Sequence, residues 1–188
     1  MTTTRVDPLH NPTADVRRRV LAGGAAALAF GALGGSRVSA AGMGTADSTV
    51  LRFAQQLELS LRDLYEQAME VDPSEPLWSA MSEHHEAYAH AIAGVTGTSA
   101  SGRNDEVFGA HRVAIRSADR ISAAYELESA AAATHLEVIG MLTDVGAAEV
   151  IASIISAESR HCVVLADVMG KGNDLSYTLE NSATAVGQ

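Results

Sequence analysis

The sequence contains a single cysteine, Cys162, and few aromatic residues among its 188 positions. One cysteine cannot form an internal disulfide, and it cannot build a four-cysteine iron or zinc module. Aromatic residues make up only 4% of the chain, and there is no long alternation of apolar and polar residues, so β-strands are not expected. The fold must therefore be stabilised by packing between helices.

Basic residues are also scarce, since 13 lysines and arginines stand against 23 acidic residues. Residues 1–40 hold five of the arginines and only two aspartates, so the rest of the chain carries eight basic and 21 acidic residues, a net charge of −13. Such a surface repels nucleic acid and anionic membranes and attracts cations. We therefore expect metal ions rather than nucleic acids as partners.

The first 40 residues resemble a twin-arginine export signal. Three arginines at 17–19 precede Val20 and Leu21, and the apolar run at 21–33 is shorter than the roughly 20 residues that a bilayer span needs. Arg37 and a small-residue cleavage site at 38–40 follow. We predict a signal peptide at 1–40 and export to the periplasm, the cell envelope or the outside, with no stable membrane span in the mature chain.

Helical periodicity dominates the remaining sequence. Apolar residues spaced by three and four predict long helices at about 47–71, 76–95, 117–142 and 147–169, with a short helical segment at 105–116. The small-residue loop at 97–104 is the natural place for a long crossover between two helical hairpins. These features predict an all-α four-helix bundle over 41–170. The polar, aperiodic tail at 171–188 is predicted to be disordered.

Glu158 and His161 interrupt an otherwise apolar stripe on the last long helix. A buried charge costs several kcal/mol, in the range of roughly 2–7 for a polar group, unless it is paired or bound to a metal. Residues three positions apart share one helix face, so both side chains can bind a single ion. A metal-free hydrogen-bonded pair is the alternative interpretation.

Two other helices carry polar residues at core positions with a matching separation. Glu58 and Tyr65 share a face of the first helix, and Glu128 and His135 share a face of the third. Both members of the second pair follow the first by 70 residues, which indicates a faint duplication of one hairpin.

These motifs resemble those of the ferritin-like superfamily, and within it the exported ferritin-like domain proteins, over about residues 47–170. The family pattern is a glutamate with a tyrosine seven positions later, then Glu-x-x-His, with both repeated. The resemblance implies that Glu58, Glu128, Glu158 and His161 are metal ligands. It implies that Tyr65 and His135 orient the carboxylates or act as local electron donors.

The second helix departs from this pattern, because no Glu-x-x-His occurs in residues 83–90. Aligning the glycines that end the second and fourth helices puts His85 and Tyr88 at the positions of the motif's glutamate and histidine. A rotated helix would instead present His84 and Glu86. His85 and His84 thus remain alternative ligands. Tyr88 is a poor ligand because its hydroxyl ordinarily keeps its proton, so it is expected beside the ligands, as Tyr65 and His135 are.

Mixed carboxylate and imidazole ligands suit iron, manganese or zinc. The resemblance implies iron, as a di-iron or mononuclear site, or manganese, in an exported protein that oxidises Fe(II) or consumes peroxide. The competing hypothesis is a degenerate bundle without metal that acts as a structural or partner-binding protein of the cell envelope. A homo-oligomer is compatible with either, and no residue pattern shows the symmetric interfaces of a storage cage.

Overall fold

The computed structural model describes residues 43–186, and all the regular secondary structure in this part of the chain is helical. The helices are α1 (Thr45–Val71), α2 (Pro76–Thr96), α3 (Asp105–Ile115), α4 (Arg120–Met141), α5 (Val145–Val168) and α6 (Leu175–Thr178). The prediction of an all-α helical bundle is confirmed, and the long helices begin and end within a few residues of the expected positions. The export signal predicted at 1–40 lies outside the described residues.

The hairpin between α1 and α2 is closed by local sequence signals. The side chain of Glu75 accepts a hydrogen bond from the backbone N–H of Leu77, and Pro76 occupies the first helical position, where a missing N–H costs nothing. Gly97 ends α2 with φ of 68°, a left-handed conformation that favours glycine. These signals fix the length of α2 and therefore which of its residues reach the core.

The crossover between the hairpins runs along α1. The backbone N–H of Asn104 donates to the carbonyl of Gln56 over 3.1 Å, and the guanidinium of Arg116 lies 2.8 Å from the carboxylate of Glu70. The chain therefore passes from the first half of α1 to its last turns, with α3 in between. This long connection was predicted from the small-residue loop that begins it.

Helix α4 runs back towards the start of α1, so these two helices are antiparallel. The buried carboxylate of Asp47, in the first turn of α1, accepts hydrogen bonds from the backbone N–H groups of Thr143 and Asp144, just after α4. Helix α1 packs against α2 and α4, and α5 packs against α2 and α4. The two hairpins, α1–α2 and α4–α5, thus form a four-helix bundle.

Two apolar clusters fill the interior of the bundle. One surrounds Trp78 and includes Leu61, Met81 and Leu165, and the other surrounds Ile92. On α2 and α5, buried polar residues lie between the segments that contribute to the two clusters, and on α1 and α4 the buried Glu58 and Glu128 lie beside the Trp78 cluster. The fold therefore isolates a polar layer from both ends of the bundle.

The C-terminal segment lies against the α4–α5 hairpin. The side-chain amide of Asn181 donates to the carbonyl of Ser129 over 2.9 Å, and the backbone N–H of Val186 donates to the hydroxyl of Thr134 over 2.8 Å. This arrangement of residues 171–186 differs from the disorder expected of a polar tail. Single contacts from side chain to backbone hold it, and such contacts leave no periodic signal in the sequence.

Among residues 43–186, no helix combines the length and apolar character that a membrane crossing requires.

Candidate metal centre

Six acidic and imidazole side chains meet in the polar layer between the two apolar clusters. All four long helices contribute to this buried cluster, and none of the six residues is more than 3% exposed. Its members are Glu58 from α1, His85 from α2, Glu128 and His135 from α4, and Glu158 and His161 from α5. We call this set the Glu/His cluster.

His85 lies between two carboxylates. Its Nδ1 is 2.6 Å from Oε2 of Glu58, and its Nε2 is 2.9 Å from Oε1 of Glu128. Without a metal, both ring nitrogens must carry protons to donate to these oxygens, so the ring is a cation that links α1 to α4.

His135 holds the equivalent position between Glu58 and Glu158. Its Nδ1 lies 3.0 Å from both carboxylate oxygens of Glu158, and its Nε2 lies 3.0 Å from Oε1 of Glu58. The second contact has ion-pair distance but not hydrogen-bond orientation, so this oxygen and this nitrogen are both buried without a hydrogen-bond partner. Such orphaned groups are rare in protein interiors.

His161 links the cluster to its outermost imidazole, His84. Nδ1 of His161 is 3.0 Å from Oε2 of Glu128, and its Nε2 is 2.9 Å from Nδ1 of His84. The two rings stack with centroids 5.2 Å apart and planes 9° apart. One of the two facing nitrogens donates a hydrogen bond and the other accepts it. The position of the proton on His84 therefore determines which nitrogen of a neutral His161 carries the free lone pair.

Two tyrosines border the cluster in different ways. The hydroxyl of Tyr65 donates to Oε1 of Glu128 over 2.5 Å, and burial together with the charge of Glu128 raises the pKa of Tyr65 far above its usual range, so the phenol keeps its proton. Its ring stacks on that of Trp78. Tyr88 presents its ring to His85, but its buried hydroxyl has no partner.

The charges within the cluster stabilise one another. Burial alone would raise the pKa of Glu58 and Glu128, but the nearby imidazolium rings outweigh it and lower the pKa of both carboxyls below their usual range. Burial would lower the pKa of His85 and His135, yet the carboxylates that flank each ring raise both values to about 10. In the absence of metal, these four residues therefore form charged pairs at neutral pH.

Glu158 and His84 differ from these four residues. Burial raises the pKa of Glu158 to about 7, against the lowering effect of His135, because Glu58 and Glu128 add negative charge nearby. Burial lowers the pKa of His84 to about 4, and the neighbouring rings of His161 and His85 act in the same direction. Metal-free protein thus holds Glu158 partly protonated at neutral pH, and His84 is a neutral imidazole.

Two overlapping groups of ligand atoms could hold a metal ion. One consists of His85, Glu128 and His161, and the other of Glu58, His85 and Glu158, with the ligand atoms of each group within 4.8 Å of one another. Metal bonds to nitrogen and oxygen of about 2.0–2.2 Å place neighbouring ligand atoms about 3.0–3.4 Å apart, so the ligand atoms of each group are near enough to bind one ion. The unpartnered Oε1 of Glu58 is a further carboxylate atom with free capacity. The residues present therefore fit a divalent ion.

The structure brings together the positions singled out in the sequence and resolves the rotation of α2. Three residues of α2 are buried, namely His84, His85 and Tyr88, whereas Glu86 and His90 are exposed. Helix α2 therefore turns the face with His85 and Tyr88 towards the cluster. The resemblance implies an orienting role for His135. In the structure, this residue lies within the cluster and contacts two carboxylates directly. No sequence signal identified His85 and His135 as bridges between glutamates, since both contacts depend on the distance between helices.

Comparison with known proteins identifies the family of the chain. A family model described as "Ferritin-like domain" matches residues 46–171, which includes all six residues of the Glu/His cluster. No curated protein and no solved structure matches the chain. The family match covers most of the chain and coincides with the four long helices and the crossover. The chain therefore belongs to the ferritin-like domain family.

Proposed function

We propose that this protein is an exported metal-binding protein that holds a redox-active divalent ion, iron or manganese, in the Glu/His cluster. The observation that carries the proposal is the convergence of three carboxylates and three imidazoles from four helices on one fully buried layer. Buried acids of this number are unfavourable without compensating cations. An ion with two positive charges supplies that compensation.

The donor set limits the choice of ion. Oxygen ligands alone would suit calcium or magnesium, and thiolates would suit copper or zinc, whereas mixed oxygen and imidazole ligands suit iron, manganese or zinc. Membership of the ferritin-like domain family favours iron or manganese among these three ions. Such an ion would supply one-electron redox chemistry. The protein surrounds the cluster with apolar side chains at both ends, and Tyr65 holds the carboxylate of Glu128 by its hydrogen bond. We propose Fe(II) oxidation or peroxide consumption as the reaction.

Metal analysis of the folded, exported chain tests the proposal. We expect at least one iron or manganese ion per chain, and we expect Glu128→Gln to lose it, because Glu128 contacts both His85 and His161. The matched control is Glu86→Gln, an exposed glutamate on α2 whose change should leave the metal content unaltered. Aerobic Fe(II) oxidation should then be faster than in buffer for the control and not for Glu128→Gln.

A second candidate function is that of a metal-free structural bundle, and one observation favours it. Every carboxylate of the cluster already lies within 3.0 Å of a histidine nitrogen, so internal ion pairs compensate part of the charge. Anaerobic incubation with Fe(II) or Mn(II) separates the two functions. A metal-binding protein must gain thermal stability as the ion concentration rises. An unchanged melting temperature and no bound ion would support the structural bundle.

A further inference from the structure

We infer that the Glu/His cluster holds one metal ion per chain rather than a pair, and that His85, Glu128 and His161 are its ligands. The inference rests on the proposed function and specifies its site. Three observations carry it. Both groups of ligand atoms include His85, and His135 already contacts both carboxylates of the second group. His84 lies within hydrogen-bond distance of His161 and orients its ring.

His85 belongs to both groups of ligand atoms, but it faces them with different nitrogens. Its Nε2 lies beside Glu128 and its Nδ1 beside Glu58. A neutral imidazole has one nitrogen with a free lone pair and one N–H. It can bind an ion through one nitrogen while the other donates a hydrogen bond, but it cannot serve two ions without losing both protons. The two groups therefore exclude each other.

The carboxylates of the second group already have a histidine ring beside them. His135 reaches Glu58 with one ring nitrogen and Glu158 with the other, both over 3.0 Å. Within residues 43–186, Glu58 and Glu158 are the two carboxylates of that group, so one histidine ring contacts both of them without metal. A second ion would have to displace this ring from the tightly packed interior.

The first group has orienting partners for its ligands. With Nε2 of His85 on the ion, its Nδ1–H donates to Glu58, an arrangement in which a carboxylate fixes a metal-binding histidine. With Nδ1 of His161 on the ion, its Nε2–H donates to Nδ1 of His84. Two histidines and one carboxylate form a donor set known from mononuclear iron sites with open positions.

Counting the bound ions tests the inference directly. The full-length protein is stripped with a chelator, and Mn(II) is added in anaerobic equilibrium dialysis. We expect a plateau at one ion per chain, with the six-line electron paramagnetic resonance spectrum of an isolated Mn(II) ion. A plateau at two ions with a coupled spectrum would overturn the single-ion inference and leave the proposed function intact. No binding would overturn both.

Variants of the two groups identify the ligands. We expect Glu158→Gln to retain one Mn(II) per chain, whereas Glu128→Gln loses it. Loss of the ion from Glu158→Gln, in protein whose melting curve and helicity show that it is folded, would overturn the ligand assignment.

Restoring the missing motif on α2 tests the role of His85. The double variant His85→Glu with Tyr88→His creates Glu-x-x-His and removes the shared imidazole, but His135 still contacts both carboxylates of the second group. We therefore expect the plateau to rise from one ion to two only when His135→Ala is added. Tyr88→His alone keeps His85 and should stay at one ion. A folded triple variant that still binds one ion would show that His85 and His135 do not limit the number.

Discussion

The two hairpins of this bundle place side chains of different chemistry at four equivalent positions in and beside the polar layer. Glu58 and Glu128 occupy equivalent positions, while Tyr65 in α1 corresponds to His135 in α4. In α2, the second helix of the first hairpin, His85 and Tyr88 occupy the positions that Glu158 and His161 occupy in α5. The α1–α2 hairpin therefore supplies one carboxylate, and the α4–α5 hairpin supplies two.

The contacts are nevertheless reciprocal. Tyr65 donates to the glutamate of the other hairpin, Glu128, and His135 approaches the glutamate of the first, Glu58. A duplicated geometry has thus been kept while the side chains diverged. One half of the cluster thus has the Glu-x-x-His motif, and the other half has, in place of the glutamate, a histidine that can carry positive charge.

The largest expected effect comes from removing either of the equivalent glutamates. In metal-free protein, Glu58→Ala and Glu128→Ala should each lower the free energy of unfolding by about 3–5 kcal/mol, because each breaks ion pairs with two buried histidines. Urea denaturation in the presence of a chelator measures the change. Equal losses would mean that the hairpins remain energetically equivalent.

The control for this pair is Glu86→Gln on the surface of α2, where we expect a change within about 0.5 kcal/mol. Losses below about 1 kcal/mol for both core glutamates would contradict the view that the ion pairs stabilise the metal-free bundle.

A pH titration of stability distinguishes Glu58 from Glu158. The lowered pKa of Glu58 contributes stability that is complete above the ordinary value of 4.5 and is lost as the solution becomes more acidic. The raised pKa of Glu158 acts in the opposite sense, since its contribution is complete below 4.5 and is lost as pH rises to about 7. His85 and His135 contribute stability below pH 6.5 that is lost as pH rises to about 10.

The lowered pKa of His84 acts against that of Glu158, because its contribution is complete above pH 6.5 and is lost as pH falls to about 4. Metal-free protein should therefore be most stable in mildly acidic to neutral solution and lose stability towards alkaline pH. Urea unfolding at a series of pH values with chelator present measures this dependence. In Glu158→Gln, the decline should begin only above about pH 6.5, where His85 and His135 start to lose protons. A stability maximum at alkaline pH in the metal-free protein would contradict the assigned charges.

Removing the hydroxyl of each tyrosine should change the free energy of unfolding by a smaller amount, and the two tyrosines should differ. Tyr65→Phe should cost about 1.5–3 kcal/mol, the usual value for a hydrogen bond to a charged group, because its hydroxyl donates to Glu128. Tyr88→Phe should cost less than about 1 kcal/mol, since its buried hydroxyl has no hydrogen-bond partner. Thermal or urea unfolding of both metal-free variants measures the difference. Equal costs would indicate that the rings, and not the hydroxyl of Tyr65, determine stability.

The smallest expected effect concerns the C-terminal segment, which lies on the α4–α5 hairpin. Asn181→Ala removes the hydrogen bond to the carbonyl of Ser129 and should cost about 0.5–1.5 kcal/mol. The exposed neighbour Glu180 provides the control, with Glu180→Ala expected to change stability by less than about 0.5 kcal/mol. Faster amide exchange across residues 175–186 in Asn181→Ala would show that this hydrogen bond keeps the segment against the hairpin. Unchanged exchange would mean that other contacts suffice.

The sequence allowed prediction of the helices and of the core register of Glu58, Glu128, Glu158 and His161. Each of these predictions needs only the periodicity within one helix, because an acid among apolar residues spaced by three and four must face the interior. The same reasoning left His84 and His85 as alternatives, since two adjacent histidines point about 100° apart and either rotation of α2 is compatible with the local pattern.

The sequence by itself determined a helical bundle with acids and histidines on its inward faces, an excess of negative charge, and a second helix without the expected motif. Only the tertiary structure decided that His85 links Glu58 to Glu128, that His135 links Glu58 to Glu158, and that the tail lies on α4. The physical reason is that periodicity is a property of neighbouring residues. Pairing between distant side chains depends on the rotation and spacing of whole helices, which the packing of the entire core sets.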